Sequence, residues 1–451
     1  MIKNKEQLIS HGFIKARKKA IKIIEACLKA TDPYKKTIEQ LKLIDNKFFF
    51  DNNIIDLSEY KNIYVVGAGK ATYRLALAIE YILGDRITDG VISLKDDDVK
   101  PLKKIRITKG GHPFPNEASF FSGVEIEKIT RRVQKSDLVF SLVTGGSSAL
   151  CVVPVPGVSF EDKIEMNKLL VRSGADILEI NTVRRHISRI KGGGLMPMVY
   201  PATVISLTVS DEKRDSDWNH DWTAPDESTF SEAVNILKKY KLWDNTPESI
   251  KDYLLKGDYT KETPKSIPVE QKVYFKMVVK TVDLWDAARD KALEIGLEPM
   301  LLTTVLTGDA FSAGRFFSAV AISALHNGLP IKPPCMIFAT GETFVRLEKD
   351  KKFGLGGANQ EIALSGCIDL KEDDNRIVIC SVDSDGTDGP TNLAGGMTDY
   401  TTISRVKKAK KDFYELLFTH SCCELLETAG DAIITGTTGT NVNAFTFVLV
   451  L

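Results

Sequence analysis

The run Leu138-Val139-Phe140-Ser141-Leu142-Val143 reads as a buried strand, and it stops on Thr144-Gly145-Gly146-Ser147-Ser148-Ala149. A strand that ends on two glycines and two hydroxyls presents bare backbone N–H groups at a tight turn, which is how proteins hold anionic oxygens. Farther along, Asn181-Thr182-Val183-Arg184-Arg185-His186 and Arg189-Ile190-Lys191-Gly192-Gly193-Gly194 set cations beside a second glycine cluster. Singly, each piece has an ordinary meaning as a turn or a solvated helix face. Together they predict a phosphate or carboxylate site that includes Gly145, Gly146, Ser147, Ser148, Asn181, Arg184, His186 and Lys191.

An earlier stretch repeats the pattern. The apolar residues Ile63 to Val66 lead through Gly67-Ala68-Gly69-Lys70-Ala71-Thr72 into a helical run with Leu75, Ala78, Ile79 and Ile82. Strand, glycine turn and helix open a doubly wound sheet. The turn is not a P-loop, because Tyr64 stands where the first glycine belongs. Nor is it a full dinucleotide fingerprint, because Thr72 takes the third glycine's place. Lys70 at the helix start would put a point charge where the helix dipole already favours an anion.

A chain of 451 residues is too long for one ordinary core, so two domains are expected. The polar segment 244–268, with Pro247, Pro264 and Pro268, reads as the boundary, giving domains 1–243 and 269–451. Sixty basic residues balance sixty acidic ones, which argues against nucleic acid or an anionic membrane as main partner. No apolar run approaches the roughly 18 residues of a spanning helix. The seven cysteines include no C-x-x-C pair and read as buried thiols in a reducing cytoplasm. Near the N-terminus, Ile14, Ile21, Ile24 and Leu28 recur at helical spacing, as in a first helix packed on a domain.

The second half is expected to open with a helix from Val273 to Ile295 and to end in a buried apolar strand, Phe445 to Leu451. Between them, Gly354-Leu355-Gly356-Gly357-Ala358-Asn359-Gln360-Glu361 predicts a glycine-rich helix start with Asn359 as a second anion contact. Asp385 and Asp388, in the turn after the strand Arg376 to Val382, are candidate ligands for a divalent ion, with an ordinary Asp/Gly turn as the alternative. Asp211 follows the buried strand Val204 to Val209, where α/β enzymes hold a metal or a substrate hydroxyl. His112, in Gly110-Gly111-His112-Pro113, reads as structural, and no His or Cys partners stand at zinc spacing.

These ordered motifs, together with Thr435-Gly436-Thr437-Thr438-Gly439-Thr440-Asn441-Val442-Asn443 near the end, resemble the glycerate 2-kinase family. Its C-terminal part is called the MOFRL domain, and its members were formerly often named hydroxypyruvate reductases. The resemblance covers nearly the whole chain. It implies transfer of a phosphoryl group from ATP, with Mg2+, to the 2-hydroxyl of D-glycerate, in a cleft between two Rossmann-like α/β domains. It further implies a cytoplasmic enzyme that binds a small-molecule substrate and a nucleotide, with room for a homodimer, and neither nucleic acid nor membrane as partner. The position matching Lys70 is a key active-site cation in that family, and Asp211, by its place after a buried strand, is expected to be catalytic beside it.

The chain departs from the family pattern in three places. Ala358 stands where Gly-Gly-Arg-Asn-Gln-Glu would supply an arginine, the segment after Ser210-Asp211 lacks the usual glycines and proline, and Thr437 and Ala444 replace a proline and an aspartate. Lys213 or Arg214 is a candidate substitute for the missing guanidinium. A kinase for a related sugar acid, and a weakly active or ligand-binding relative, are the alternative expectations.

Overall fold

The computed structural model describes residues 1–95, 99–209, 221–257, 259–347 and 352–451. They form two compact units, one of residues 33–278 and one of residues 1–32 with 279–451.

The 33–278 unit begins with an antiparallel meander of β1 (Leu41–Ile44), β2 (Lys47–Phe50) and β3 (Asn53–Asp56). Its main sheet contains β4 (Asn62–Ala68), β5 (Asp89–Leu94), β6 (Ile105–Lys109), β7 (Asp137–Thr144), β8 (Thr203–Val209) and β9 (Val273–Val279), in the order β6-β5-β4-β7-β8-β9. Pairing from β6 through β8 is parallel throughout. All of β7 and β8 is buried, the non-alternating signature of a sheet covered on both faces. The strand order reverses direction between β4 and β7, and the carboxyl ends of those two strands are where open α/β sheets take ligands. Helices Phe160–Arg172, Ile177–His186, Phe230–Lys239 and Glu248–Lys256 share a separate apolar cluster built on Met166, Leu170, Val183, Leu237 and Leu254.

The expected helix over Val273 to Ile295 is instead a strand, β9, followed by the helix Val282–Glu294. Val273, Tyr274, Phe275, Val278 and Val279 are β-branched or aromatic, and sheet pairing takes what helical periodicity could also fit. The chain thus returns to the first sheet after the polar 244–268 segment, and the division falls at 278/279 rather than at 243/269.

The second unit's sheet has the order β10 (Glu298–Leu306), β11 (Cys335–Gly341), β15 (Ala444–Val450), β12 (Ile377–Asp383), β13 (Gly395–Thr398) and β14 (Ala432–Ile433). Only β10 with β11 is parallel; the other pairs run antiparallel. The α/β class holds for both units, but this sheet is mixed and not doubly wound. Two of the antiparallel pairs belong to β15, the buried strand expected at the end of the chain, which inserts between β11 and β12 and stacks Phe445 and Phe447 on Phe338 with ring centroids 6.0 and 6.2 Å away.

Residues 1–32 belong here because helix Ile14–Ala30 carries a fully buried arginine into this unit. Arg17 Nε donates to Asp399 at 2.7 Å, and its Nη2 lies 2.9 Å from Asp431. His11 and Arg405 also reach Asp431, at 3.0 and 2.5 Å. Burial alone would raise the Asp399 carboxyl, yet the Arg17 guanidinium holds it down at about 2. Removing one member of such a buried set would leave an uncompensated charge. Of the apolar residues expected to pack, Ile21, Ile24 and Leu28 do, whereas Ile14 is exposed. All seven cysteines are free thiols, and six of them are buried. Among the described residues no helix is long and apolar enough to cross a membrane.

Candidate active site

At the carboxyl ends of β4 and β7 the two glycine turns are stitched together. Gly69, at φ +142°, has no space for a side chain, since a Cβ there would lie 2.1 Å from Thr144 Oγ1. Lys70 N–H donates to Gly145 O at 2.9 Å, and Ala71 N–H donates to Thr144 Oγ1 at 3.1 Å. Thr72, the first residue of helix Thr72–Leu83, donates to Leu142 O at 3.2 Å. Gly146 is left-handed at φ +87°, and a Cβ on it would sit 3.2 Å from Lys70 Cγ and 3.3 Å from His112 Nε2. Lys70, Gly146 and His112 therefore converge on one spot at the switch point of the sheet. Ser148 Oγ accepts from Lys191 Nζ, and Ser147 Oγ is buried without a partner among the described residues.

Lys191, buried, lies in a group of three cations with buried Lys163 and half-buried Arg184. Lys163, on helix Phe160–Arg172, donates from Nζ to Ile187 O at 2.6 Å, and Arg184 Nε donates to Asn167 Oδ1 at 3.0 Å. Burial first, then the repulsion of Arg184, brings Lys191 down to about 7. Burial lowers Arg184 to about 10, and burial with repulsion from Lys191 and Arg184 lowers Lys163 well below the usual lysine range. Among the described residues no carboxylate pairs with any of the three.

Helix Ile177–His186, started by an Asp176–Glu179 capping box, sends its cations in different directions. Arg184 joins the cluster, and half-buried Asn181 lies one turn before it. Arg185 pairs with Asp226 at 2.6 Å on the wall of a cavity of about 960 Å3 that Thr182, Asp221, Ser228 and Lys265 also line. His186 is not an anion contact. Its Nδ1 meets Thr182 O at 2.8 Å, its Nε2 meets Glu262 at 3.1 Å, and its buried ring lies 5.1 Å from that of Phe230. Both nitrogens are used by the fold, as in a core histidine.

In the other unit, the glycine-rich helix start is already filled. Asp388 Oδ1 accepts from the backbone N–H and the side-chain Nδ2 of Asn359, each at 3.1 Å, and its Oδ2 accepts from Gln360 N–H at 2.9 Å. Gly357 admits the carboxylate, since a Cβ there would lie 2.3 Å from Asp388 Cγ. Asn359 spends its Oδ1 on Ser381 Oγ, 2.6 Å away. The protein's own aspartate thus neutralises helix Ala358–Gly366, and the reading of Asn359 as an anion contact gives way to an internal cap.

The same geometry corrects Asp388 as a metal ligand, because both its oxygens face N–H donors and it is only 3% exposed. Burial pushes its carboxyl up to about 6 against the pull of those donors. Asp385 turns its Oδ1 onto Thr387 N–H and Oγ1, both at 2.8 Å, closing an Asx turn. Among the described residues no three His, Cys, Asp or Glu side chains form a metal-binding group. Asp211, Lys213 and Arg214 lie outside the described residues. One group near the site, Lys163, escaped the sequence reading, and His112, read there as structural, lies against Gly146. The signal for Lys163 was its register: buried positions 163, 166, 167 and 170 form one helix face, and a lysine stands in it.

Residues 19–255 match the family model described as a domain of unknown function, DUF4147, and residues 335–444 match the MOFRL family. The glycerate 2-kinase of Pyrococcus horikoshii is 36% identical, over 96% of this chain and 97% of that protein. The D-glycerate 2-kinase of Thermotoga maritima is 34% identical, over 95% and 96%. A crystal structure of glycerate kinase from Thermotoga maritima superposes with a TM-score of 0.81 at 32% identity, covering 97% of this chain and all of that one.

Proposed function

The chain belongs to the glycerate 2-kinase family, and from that premise we propose that it transfers the terminal phosphoryl group of ATP to the 2-hydroxyl of D-glycerate. The hydroxyl oxygen forms a bond to phosphorus, the bond from phosphorus to the ADP oxygen breaks, and the hydroxyl proton leaves to a base. Asp211, following β8, is the residue assigned as that base. The observation that carries the reading is the convergence of Lys70, Gly146 and His112 where β4 and β7 end, because phosphoryl transfer asks chiefly for positioning and for cations fixed where charge develops.

Lys70 acts as that cation, Gly145 and Gly146 let the substrate's anionic group approach the backbone, and Ser147, Ser148, Asn181, Arg184 and Lys191 contribute polar contacts. Magnesium that accompanies a nucleotide is held largely by phosphate oxygens and water. Asp388 does not fit it, because both of its oxygens face N–H donors. The reaction is assigned to the cytoplasm, where seven thiols stay reduced.

A kinase for a related sugar acid is the second reading, favoured by Ala358 at the position of the family's arginine. The deciding experiment follows ADP release with D-glycerate, L-glycerate and longer sugar acids, and identifies the product by phosphorus NMR. Turnover with D-glycerate and a 2-phosphoglycerate signal is the expected result. Turnover confined to a longer acid would replace the first reading with the second.

A further inference from the structure

Lys163 has no part in the phosphoryl transfer proposed above, and its placement is costly. It is 3% exposed, in a stripe with Met166, Asn167 and Leu170, where a methionine or leucine would pack without desolvating a charge. Arg184 and Lys191 repel it, and its visible return is one hydrogen bond to Ile187 O. Two hydroxyls in the neighbouring segments, Ser147 Oγ and Ser188 Oγ, are buried with no partner among the described residues. Ser147 adjoins Ser148, which Lys191 holds, and Ser188 adjoins Ile187, which Lys163 holds.

We propose that Lys163, Arg184 and Lys191 form a binding site for a phosphoryl dianion, the group shared by the nucleotide's terminal phosphate and the phosphate ester of the product. The identification of those two sources rests on the kinase reading above. Charge favours phosphate over carboxylate, because a phosphate ester carries nearly two negative charges and three acceptor oxygens. The donors agree: among the described residues each protonated lysine keeps two N–H groups after its present bond, and Arg184 keeps the paired ends of its guanidinium because only Nε is committed. The unpartnered hydroxyls supply further donors to a tetrahedral anion. Lowered lysine pKa values accord with this, since an arriving dianion favours the protonated forms.

The test measures binding of inorganic phosphate to the full chain by calorimetry and by thermal shift, without turnover. Lys163→Met keeps the apolar stem and removes the charge, and Arg184→Gln is measured beside it as a second variant. The expected result is phosphate affinity at least tenfold weaker in both, with the unliganded melting temperature of Lys163→Met unchanged or higher. A lysine kept for structure gives the opposite pattern, a lower melting temperature with phosphate affinity within twofold of the parent, and that overturns the proposal. Phosphate displaced by 2-phosphoglycerate assigns the site to the product, and phosphate displaced by ATP assigns it to the nucleotide. Displacement by neither, or equal binding of acetate, overturns it. Glycerate turnover is followed separately: phosphate binding that depends on Lys163 in a chain that does not phosphorylate glycerate leaves the site standing and removes the kinase reading.

Discussion

Two glycine-rich turns of this chain look alike in sequence and have opposite electrostatic fates. At Thr144 to Ser148 the surroundings are cationic, with Lys70 at the turn and Lys191 on Ser148. At Gly354 to Asn359 the helix start is closed by Asp388, a carboxylate the chain itself supplies. A glycine turn at a helix start fixes where an anion fits, and the rest of the fold decides whether that anion is internal or a ligand. One turn is a completed structural joint. The other is flanked by Lys70 and Lys191.

The sharpest way to break the contrast is at Lys70. Lys70→Ala should lower kcat for glycerate phosphorylation about 10²-fold or more, with little change in thermal unfolding, because it removes a cation that meets developing charge. Steady-state kinetics beside a melting curve checks this, and near-normal turnover would make the first turn as inert as the second.

Asp388→Ala should do the reverse, leaving the N–H groups of Asn359 and Gln360 buried and unmatched. A loss of about 3 kcal/mol in chemical denaturation is expected, with the magnesium requirement of any remaining activity unchanged. A weakened magnesium response in a stably folded variant would restore Asp388 as a ligand.

One substitution made at both turns separates backbone strain from crowding. Gly146→Ala forces a left-handed alanine, costing about 1 to 2 kcal/mol, and presses on Lys70 and His112, so kcat should fall with stability. Gly357 is extended, and Gly357→Ala costs stability only by displacing Asp388. Combining it with Asp388→Ala should therefore add almost nothing, which a double-mutant cycle reads directly.

The smallest effects are pH slopes, and they have opposite signs. Lys191, lowered to about 7, binds its proton less tightly in the folded chain than in the unfolded one, so its contribution to stability rises as pH climbs from about 7 toward the ordinary lysine range. Asp388, raised to about 6, binds its proton more tightly when folded, so stability is lost as pH rises from about 4 to 6. Each slope is at most about 1.4 kcal/mol per pH unit. Lys191→Met should remove the first and Asp388→Asn the second in melting curves taken across pH.

Much of the first unit was legible because its strands are uniformly apolar and its turns are punctuated by glycine, so Lys70 and the Gly145-Gly146 turn could be singled out before any coordinates. Lys163 was not, and His112 was read only as structural, because the setting of each is defined by a neighbour distant in the chain, Ile187 for one and Gly146 for the other. His186 failed for the converse reason: a histidine after two arginines looks cationic, and only packing shows its ring against Phe230. The antiparallel insertion of β15 was also hidden, since an apolar strand carries no mark of its direction.

Arg17 sets an order of events in synthesis. The sequence separation between it and Asp399 is 382 residues, so at about 5 to 20 residues per second the ribosome takes roughly 20 to 80 s to deliver the carboxylate that arginine needs. In that interval residues 33–278 emerge whole and can fold as a unit around their own parallel sheet. The helix Ile14–Ala30, with its apolar face and a cation not yet matched, meanwhile waits for carboxylates that emerge after residues 33–278, so it reaches its place later than they do.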